Sequence, residues 1–203
     1  MPKLSVILPT TLKPYSGCAK DLPAKFERAI KSVISQSFED WELVIVSDGC
    51  DKAVEIAKPY FYEYIPKIRL IQIEKQPTWS GAVRNVGIVK ADGDYITYLD
   101  TDDYFGTDHL KTIAESLEDY DWIFYNDLRY KQGVFYENKC SFNKGMCGTS
   151  NVTHKKSLNV MWRDNSYLHD FVLIKDLMAA SSNYAVTKTP QYHVCHLPNR
   201  YDI

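Results

Sequence analysis

Apolar and polar positions along this chain alternate between two periods. Leu4-Ser5-Val6-Ile7-Leu8 is a short apolar run stopped by Pro9, which has no amide to offer a β-ladder, and it predicts a buried strand. Between Asp21 and Gln36, Phe26, Ala29, Ile30, Val33 and Ile34 recur at helical spacing, with Asp21 placed as a cap and Pro23 inside the first turn. The pattern then repeats. Residues 41–46 predict a strand closed by Ser47-Asp48-Gly49, and residues 51–60 a helix. Residues 68–73 predict a third strand, 81–91 a helix capped by Ser80, 95–99 a fourth strand, 108–117 a helix and 122–125 a fifth strand. Strands alternating with helices imply right-handed crossovers. The expected fold class is therefore α/β, one compact domain on a mainly parallel sheet with helices on both faces. Ligands are expected at the carboxyl ends of its strands.

From about Tyr130 the alternation fades. Lys131-Gln132-Gly133 suggests a turn, and residues 139–154 are polar with Gly145 and Gly148, which predicts loop with short strands. Residues 170–180 read as a helix whose apolar face is Phe171, Leu173, Ile174, Leu177 and Met178, and residues 191–197 as a last strand.

Composition narrows the partners. Hydrophobic residues make up 45% and charged residues 25% of the 203, which suits a globular core. A formal net charge of -2 argues against nucleic acid, because phosphate backbones reward a basic excess. Five cysteines without CxxC spacing fit neither a zinc site nor a redox motif, and suggest a reducing cytosol. Met1-Pro2-Lys3 leads directly into the first strand with no apolar leader, and no apolar run approaches the roughly 20 residues of a bilayer span. The expectation is a cytoplasmic protein with no transmembrane segment.

Three features carry chemistry. Asp100-Thr101-Asp102-Asp103 directly follows the fourth strand, and carboxylates so close repel one another unless a divalent cation bridges them to a ligand such as a diphosphate. Oxygen ligands favour magnesium or manganese. The competing reading is a solvated turn. Asp48-Gly49 ends another strand, where the carboxylate can accept hydrogen bonds from a base or ribose, although Asp-Gly is also a favourable turn. Gly81 to Gly87 opens a helix whose free amides suit an anion, with Arg84 able to hold a phosphate or an aspartate; the plainer reading is a surface arginine.

These segments, in order, resemble the family 2 glycosyltransferases of the GT-A (Rossmann-like) fold. The resemblance rests on Ser5-Val6-Ile7-Leu8-Pro9-Thr10, Ser32-Val33-Ile34-Ser35-Gln36-Ser37-Phe38, Trp41 through Gly49, Ala82-Val83-Arg84-Asn85-Val86-Gly87, and Asp94 through Asp103. It implies a metal-dependent, inverting transfer of sugar from a nucleotide-sugar donor, with uridine diphosphate as the expected nucleotide, to a glycan, lipid-linked or protein acceptor. It implies further that Pro9 and Thr10 border the base, Asp48 contacts it, Arg84 lies beside the donor, Asp100 stands near the ribose or the metal, and Asp102 holds Mn2+ or Mg2+. Residues 1–105 would be the donor half and 106–203 the acceptor half of one domain. Ser47 departs from the family's usual acidic residue, and Cys50 from its serine.

In the second half the resemblance is looser. Tyr167-Leu168-His169-Asp170-Phe171 resembles the family's Glu-Asp segment, with His169 in place of the glutamate. Asp170 would then be the general base, with His169 orienting it or itself the base; the alternative role for Asp170 is a helix cap. His196 resembles a histidine near the metal, and Gly148-Thr149-Ser150 a loop beneath donor sugar or acceptor. Two other functions stay in view: a binding module that has lost turnover, which the His169 departure keeps open, and a sugar nucleotidyltransferase, which would need a glycine- and arginine-rich loop where Pro9-Thr10-Thr11-Leu12 stands. Dinucleotide-binding and P-loop motifs are absent.

Overall fold

The computed structural model describes residues 3–14, 18–77, 79–131, 133–163, 168–187 and 190–195. In chain order the elements are β1 (Leu4–Thr10), α1 (Leu22–Ile34), β2 (Trp41–Asp48), α2 (Asp51–Glu63), β3 (Ile68–Ile73), α3 (Gly81–Lys90), β4 (Tyr95–Tyr98), β5 (Tyr104–Phe105), α4 (His109–Ser116), β6 (Trp122–Phe124), β7 (Asp127–Lys131), β8 (Val134–Asn138), β9 (Val152–Lys155), α5 (His169–Ala180), β10 (Tyr184–Val186) and β11 (Tyr192–Val194). The main sheet has the order β10-β6-β9-β4-β1-β2-β3, and a smaller one the order β5-β11-β7-β8. β1 pairs in parallel with β2 and β4, and β2 with β3, so the carboxyl ends of four strands open on the same edge. Among the described residues, no helix is long and apolar enough to cross a membrane.

The apolar alternation within β1 decides the layers. Leu4, Val6 and Leu8 face a core shared with Phe26, Ile30 and Val33 of α1, Ala53 of α2 and Leu110 of α4. Ile7 faces the opposite way, into a second core with Val83 and Ile88 of α3 and Leu173 and Ile174 of α5. A β-carbon at Gly87 would lie 2.6 Å from Cγ2 of Ile7, so this glycine lets α3 sit close on the sheet. Gly49 has φ of +61°, the left-handed turn that brings the chain from β2 into α2.

The expected α/β architecture is present, with departures concentrated after β6. β9 arises within the stretch expected to be mostly loop and runs antiparallel to both β4 and β6, sealing the main sheet between them. The predicted final strand is β11, which joins the small sheet rather than the main one. Two predicted caps also differ. Asp21 and Ser80 occupy N-cap positions, yet neither side chain bonds a helix amide.

Candidate active site

The carboxyl ends of β1, β2 and β4 bring Pro9, Thr10, Asp48 and Asp100 to one edge. The Pro9 carbonyl accepts a hydrogen bond from Thr101 Oγ1 at 2.9 Å, which ties the acidic turn to β1. Thr10 is buried, and its hydroxyl has no partner among the described residues. Asp48 is buried as well: Oδ1 accepts from the Gln76 amide at 2.6 Å, and Oδ2 is paired with Lys75. Ser47, the departure beside it, donates its hydroxyl to the Cys50 carbonyl at 2.8 Å and so shapes the turn into α2.

Arg84 is the centre of the arrangement. It is 4% exposed. Its Nη2 donates to Asp100 Oδ1 at 2.7 Å, its Nη1 donates to Ser80 Oγ at 2.7 Å, and its guanidinium lies 4.6 Å from the ring centroid of Trp162. Ser80 itself has helical backbone (φ -61°, ψ -7°) rather than the extended conformation of a capping residue, and its hydroxyl serves Arg84 instead of an α3 amide. Burial alone would lower the guanidinium's pKa, but the charges of Asp100 and Asp170 outweigh it and raise the value. Trp162 is held in turn by Asn85, whose side-chain amide donates to the Trp162 carbonyl at 2.9 Å and accepts from its amide at 2.8 Å. The surface-arginine reading of Arg84 is thereby corrected: the side chain is turned inward, towards Asp100.

Asp170 lies in the first turn of α5, where the N-cap is Leu168, so the cap reading is also corrected. Its Oδ1 accepts from Thr149 Oγ1 at 3.0 Å, and its Oδ2 stands 3.8 Å from His169 Nε2. Burial raises its pKa above the ordinary carboxylate value, against the lowering pull of Arg84 and His169. The His169 ring is buried edge-on to Trp162 and Trp79, with centroids 5.2 Å and 6.2 Å away. Arg84, Asp100, Asp170 and His169 thus form one electrostatic group, whereas Asp48 is bound separately to Lys75 and Gln76.

Asp100 and Asp102 offer hard oxygen donors. Among the described residues no three His, Cys, Asp or Glu side chains converge as a complete cage. Two carboxylates completed by diphosphate oxygens and water are the arrangement in which magnesium is commonly held, so the donor set fits such a cation. His196 lies outside the described residues. Asp103, the third acid of the run, is buried, and burial together with the charges of Asp102 and Asp100 pushes its pKa well above the ordinary value.

The sequence reading missed Trp162, Asn85 as its clamp, and Lys75. Asn85 sits within a motif already singled out, but its partner is 77 positions away. Trp162 closes the short apolar run Val160-Met161-Trp162, which is too brief to carry a periodic signal.

A mainly parallel α/β sheet with an acidic turn at its edge, and a half-buried Asp170 electrostatically linked to that turn through Arg84, defines a class of protein, and sequence comparison gives the family. The profile described as glycosyl transferase family 2 matches residues 5–175, and the chain belongs to that family. An uncharacterized glycosyltransferase of Haemophilus influenzae is 35% identical over 114 residues, which is 55% of this chain and 40% of that protein. The GalNAc(5)-diNAcBac-PP-undecaprenol beta-1,3-glucosyltransferase of Campylobacter jejuni is 28% identical over 159 residues, 78% of this chain and 48% of the relative. The chain therefore spans less than half the length of either. Residues 1–349 of S. aureus TarS in complex with UDP-GlcNAc superpose with a TM-score of 0.75 at 16% identity, covering 98% of this chain and 62% of that one. A Pyrobaculum calidifontis mannosyltransferase in complex with GDP-Man and Mn2+ gives 0.70 at 14% identity, covering 98% and 58%. At such identities the likeness establishes the fold.

Proposed function

We propose that the chain transfers a sugar from a nucleoside diphosphate sugar, with uridine as the base, to an acceptor hydroxyl of a glycan, lipid-linked or protein substrate, with inversion at the anomeric carbon. The observation that carries this reading is the buried Arg84, which pairs with Asp100 on the donor side while its charge acts on Asp170 on the acceptor side. Residues 1–105 supply the donor half and residues 106–203 the acceptor half, working in the cytoplasm. Asp48 keeps lone pairs beyond those used by Lys75 and Gln76, and with these it accepts from the base that Pro9 and Thr10 border. Asp102 and Asp100 hold Mn2+ or Mg2+, with His196 as a further candidate ligand. When bound, the cation offsets the charge of the diphosphate.

Asp170 takes the proton of the acceptor hydroxyl. The oxygen forms its bond to the anomeric carbon from the face opposite the diphosphate, and the bond to the diphosphate breaks with its electron pair leaving on the nucleotide. A raised pKa suits this base, because a carboxylate nearer neutrality accepts a proton more readily. His169 orients it. The nucleotide-sugar and manganese complexes of the two structural relatives support the reading. The test is incubation with a panel of nucleotide sugars and Mn2+ without acceptor, read as slow donor hydrolysis. Binding of a donor with neither hydrolysis nor transfer to any acceptor would instead favour a binding module.

A further inference from the structure

The acidic turn is held from several sides. Arg28 Nη2 of α1 donates to the Asp102 carbonyl at 2.7 Å, Thr101 is bonded to β1, and Arg84 to the Asp100 side chain. The remaining restraint comes from β11. The Asp100 amide donates to the Tyr192 hydroxyl at 3.1 Å, and that hydroxyl donates to Asp103 Oδ2 at 3.0 Å. Asp103 Oδ1 accepts from the Cys195 amide at 2.7 Å. A single phenol therefore spans the turn from its first to its last residue, with both its donor and an acceptor site used. The ring itself is fully buried and fixed by other contacts, edge-on to Phe105 at 5.4 Å and to His109 at 5.9 Å.

We propose that Tyr192 is a positioning residue for the cation site, and that Asp103 is its anchor rather than a ligand. The inference rests on reading Asp102 and Asp100 as cation ligands. Asp103 cannot turn to the cation without giving up the Tyr192 and Cys195 bonds, and so this buried carboxylate is set apart from Asp100 and Asp102, which are both partly exposed. Closing the turn through the phenol sets the backbone from which Asp100 and Asp102 project. This orients the ligands before the cation and nucleotide arrive.

The test is Mn2+ titration of the protein in the presence of uridine diphosphate, with free and bound Mn2+ read by electron paramagnetic resonance and folding checked by circular dichroism. Tyr192→Phe keeps the ring contacts and removes only the two hydroxyl bonds. It is expected to weaken Mn2+ binding by about tenfold, the lower end of what losing a hydrogen bond behind a metal ligand typically costs, and to alter the bound Mn2+ spectrum. Asp103→Asn, which can accept only one of its two bonds through oxygen, is expected to shift both readouts in the same direction. Wild-type affinity and spectrum in folded Tyr192→Phe would overturn the proposal; should that variant not fold, the same result in folded Asp103→Asn would overturn it. Wild-type protein that binds no Mn2+ with the nucleotide would remove the cation reading itself, and the positioning role with it.

Discussion

The strand ends that carry Pro9, Asp48 and Asp100 and the segment that carries Thr149 and Asp170 are held still by different forces. The first group continues directly from parallel strands buried on both faces, so hydrophobic packing fixes their backbone. The second depends on a polar hub. Asp127 is 1% exposed, and its carboxylate accepts from Ser150 Oγ at 2.8 Å, Asn151 Nδ2 at 3.1 Å and Asn138 Nδ2 at 2.9 Å. The loop that presents Thr149 to Asp170 is thus positioned by hydrogen bonds and the strand ends by apolar burial. Arg84 is where the two meet. Truncating side chains on each side separates these contributions.

The largest effect is expected at the meeting point. Arg84→Ala leaves Asp100 and Asp170 without their cation, and loss of one partner of a buried pair costs about 3–5 kcal/mol. The value here should fall at the low end, about 3 kcal/mol, because the Asp100 side chain is 34% exposed. Urea unfolding measures it, and an unchanged midpoint would deny Arg84 its structural place. Asp127→Ala follows, at about 2 kcal/mol, since several buried donors lose their acceptor. It should also lower turnover with little change in nucleotide affinity, because in the proposed function the hub supports the acceptor side; an equal loss of nucleotide binding would show that the two regions are not separable.

Acidification tests the sheet that joins them. His154 on β9 donates from Nδ1 to the Lys155 carbonyl and accepts the Tyr98 hydroxyl at Nε2. Burial lowers its pKa to about 4, and burial also holds His109 well below its usual value. Below the unfolded value near 6.5 the unfolded chain takes up protons that the folded one refuses, so stability falls from there towards pH 4. For His154 alone the loss at pH 5 is about 2 kcal/mol. Asp103 and Asp170, with raised values, work in the opposite direction. The difference between wild type and His154→Gln in urea midpoints at pH 7 and pH 5 isolates the histidine. An identical pH slope would contradict its burial as a neutral ring. A smaller effect, about 1.4 kcal/mol or tenfold in affinity, is expected for Asp48→Ala on nucleotide binding by calorimetry, with Mn2+ binding retained. No change would return Asp48 to the role of a turn residue.

The same division explains what the sequence discloses. Asp48, Arg84 and Asp100 each stand directly after or at the start of a periodic segment, and the period alone places them at the sheet edge. Asp170 has no such frame: helical spacing starting at that residue suggests a cap, and only the family resemblance gives it another role, whereas the structure puts Leu168 at the cap and the carboxylate on Thr149. β9 falls in the stretch expected to be loop with short strands, but its bounds and its place in the main sheet are not readable there, because a strand of only four residues, Val152-Thr153-His154-Lys155, alternates too briefly and owes its place to pairing with both β4 and β6. Trp162 and Tyr192 escape for a related reason, since each acts through a bond to a residue far away in the chain.

The central claim is that Asp170 is the base facing a donor held across Arg84 and Asp100. Its most direct test is single-turnover transfer from the donor sugar in Asp170→Asn, with nucleotide affinity measured separately and His169→Ala run beside it. A general base contributes about 10²–10⁴-fold, so Asp170→Asn should lose roughly that factor in rate with its nucleotide affinity near wild type, and His169→Ala should lose less. A wild-type rate in folded Asp170→Asn, or a larger loss in His169→Ala, would contradict the account.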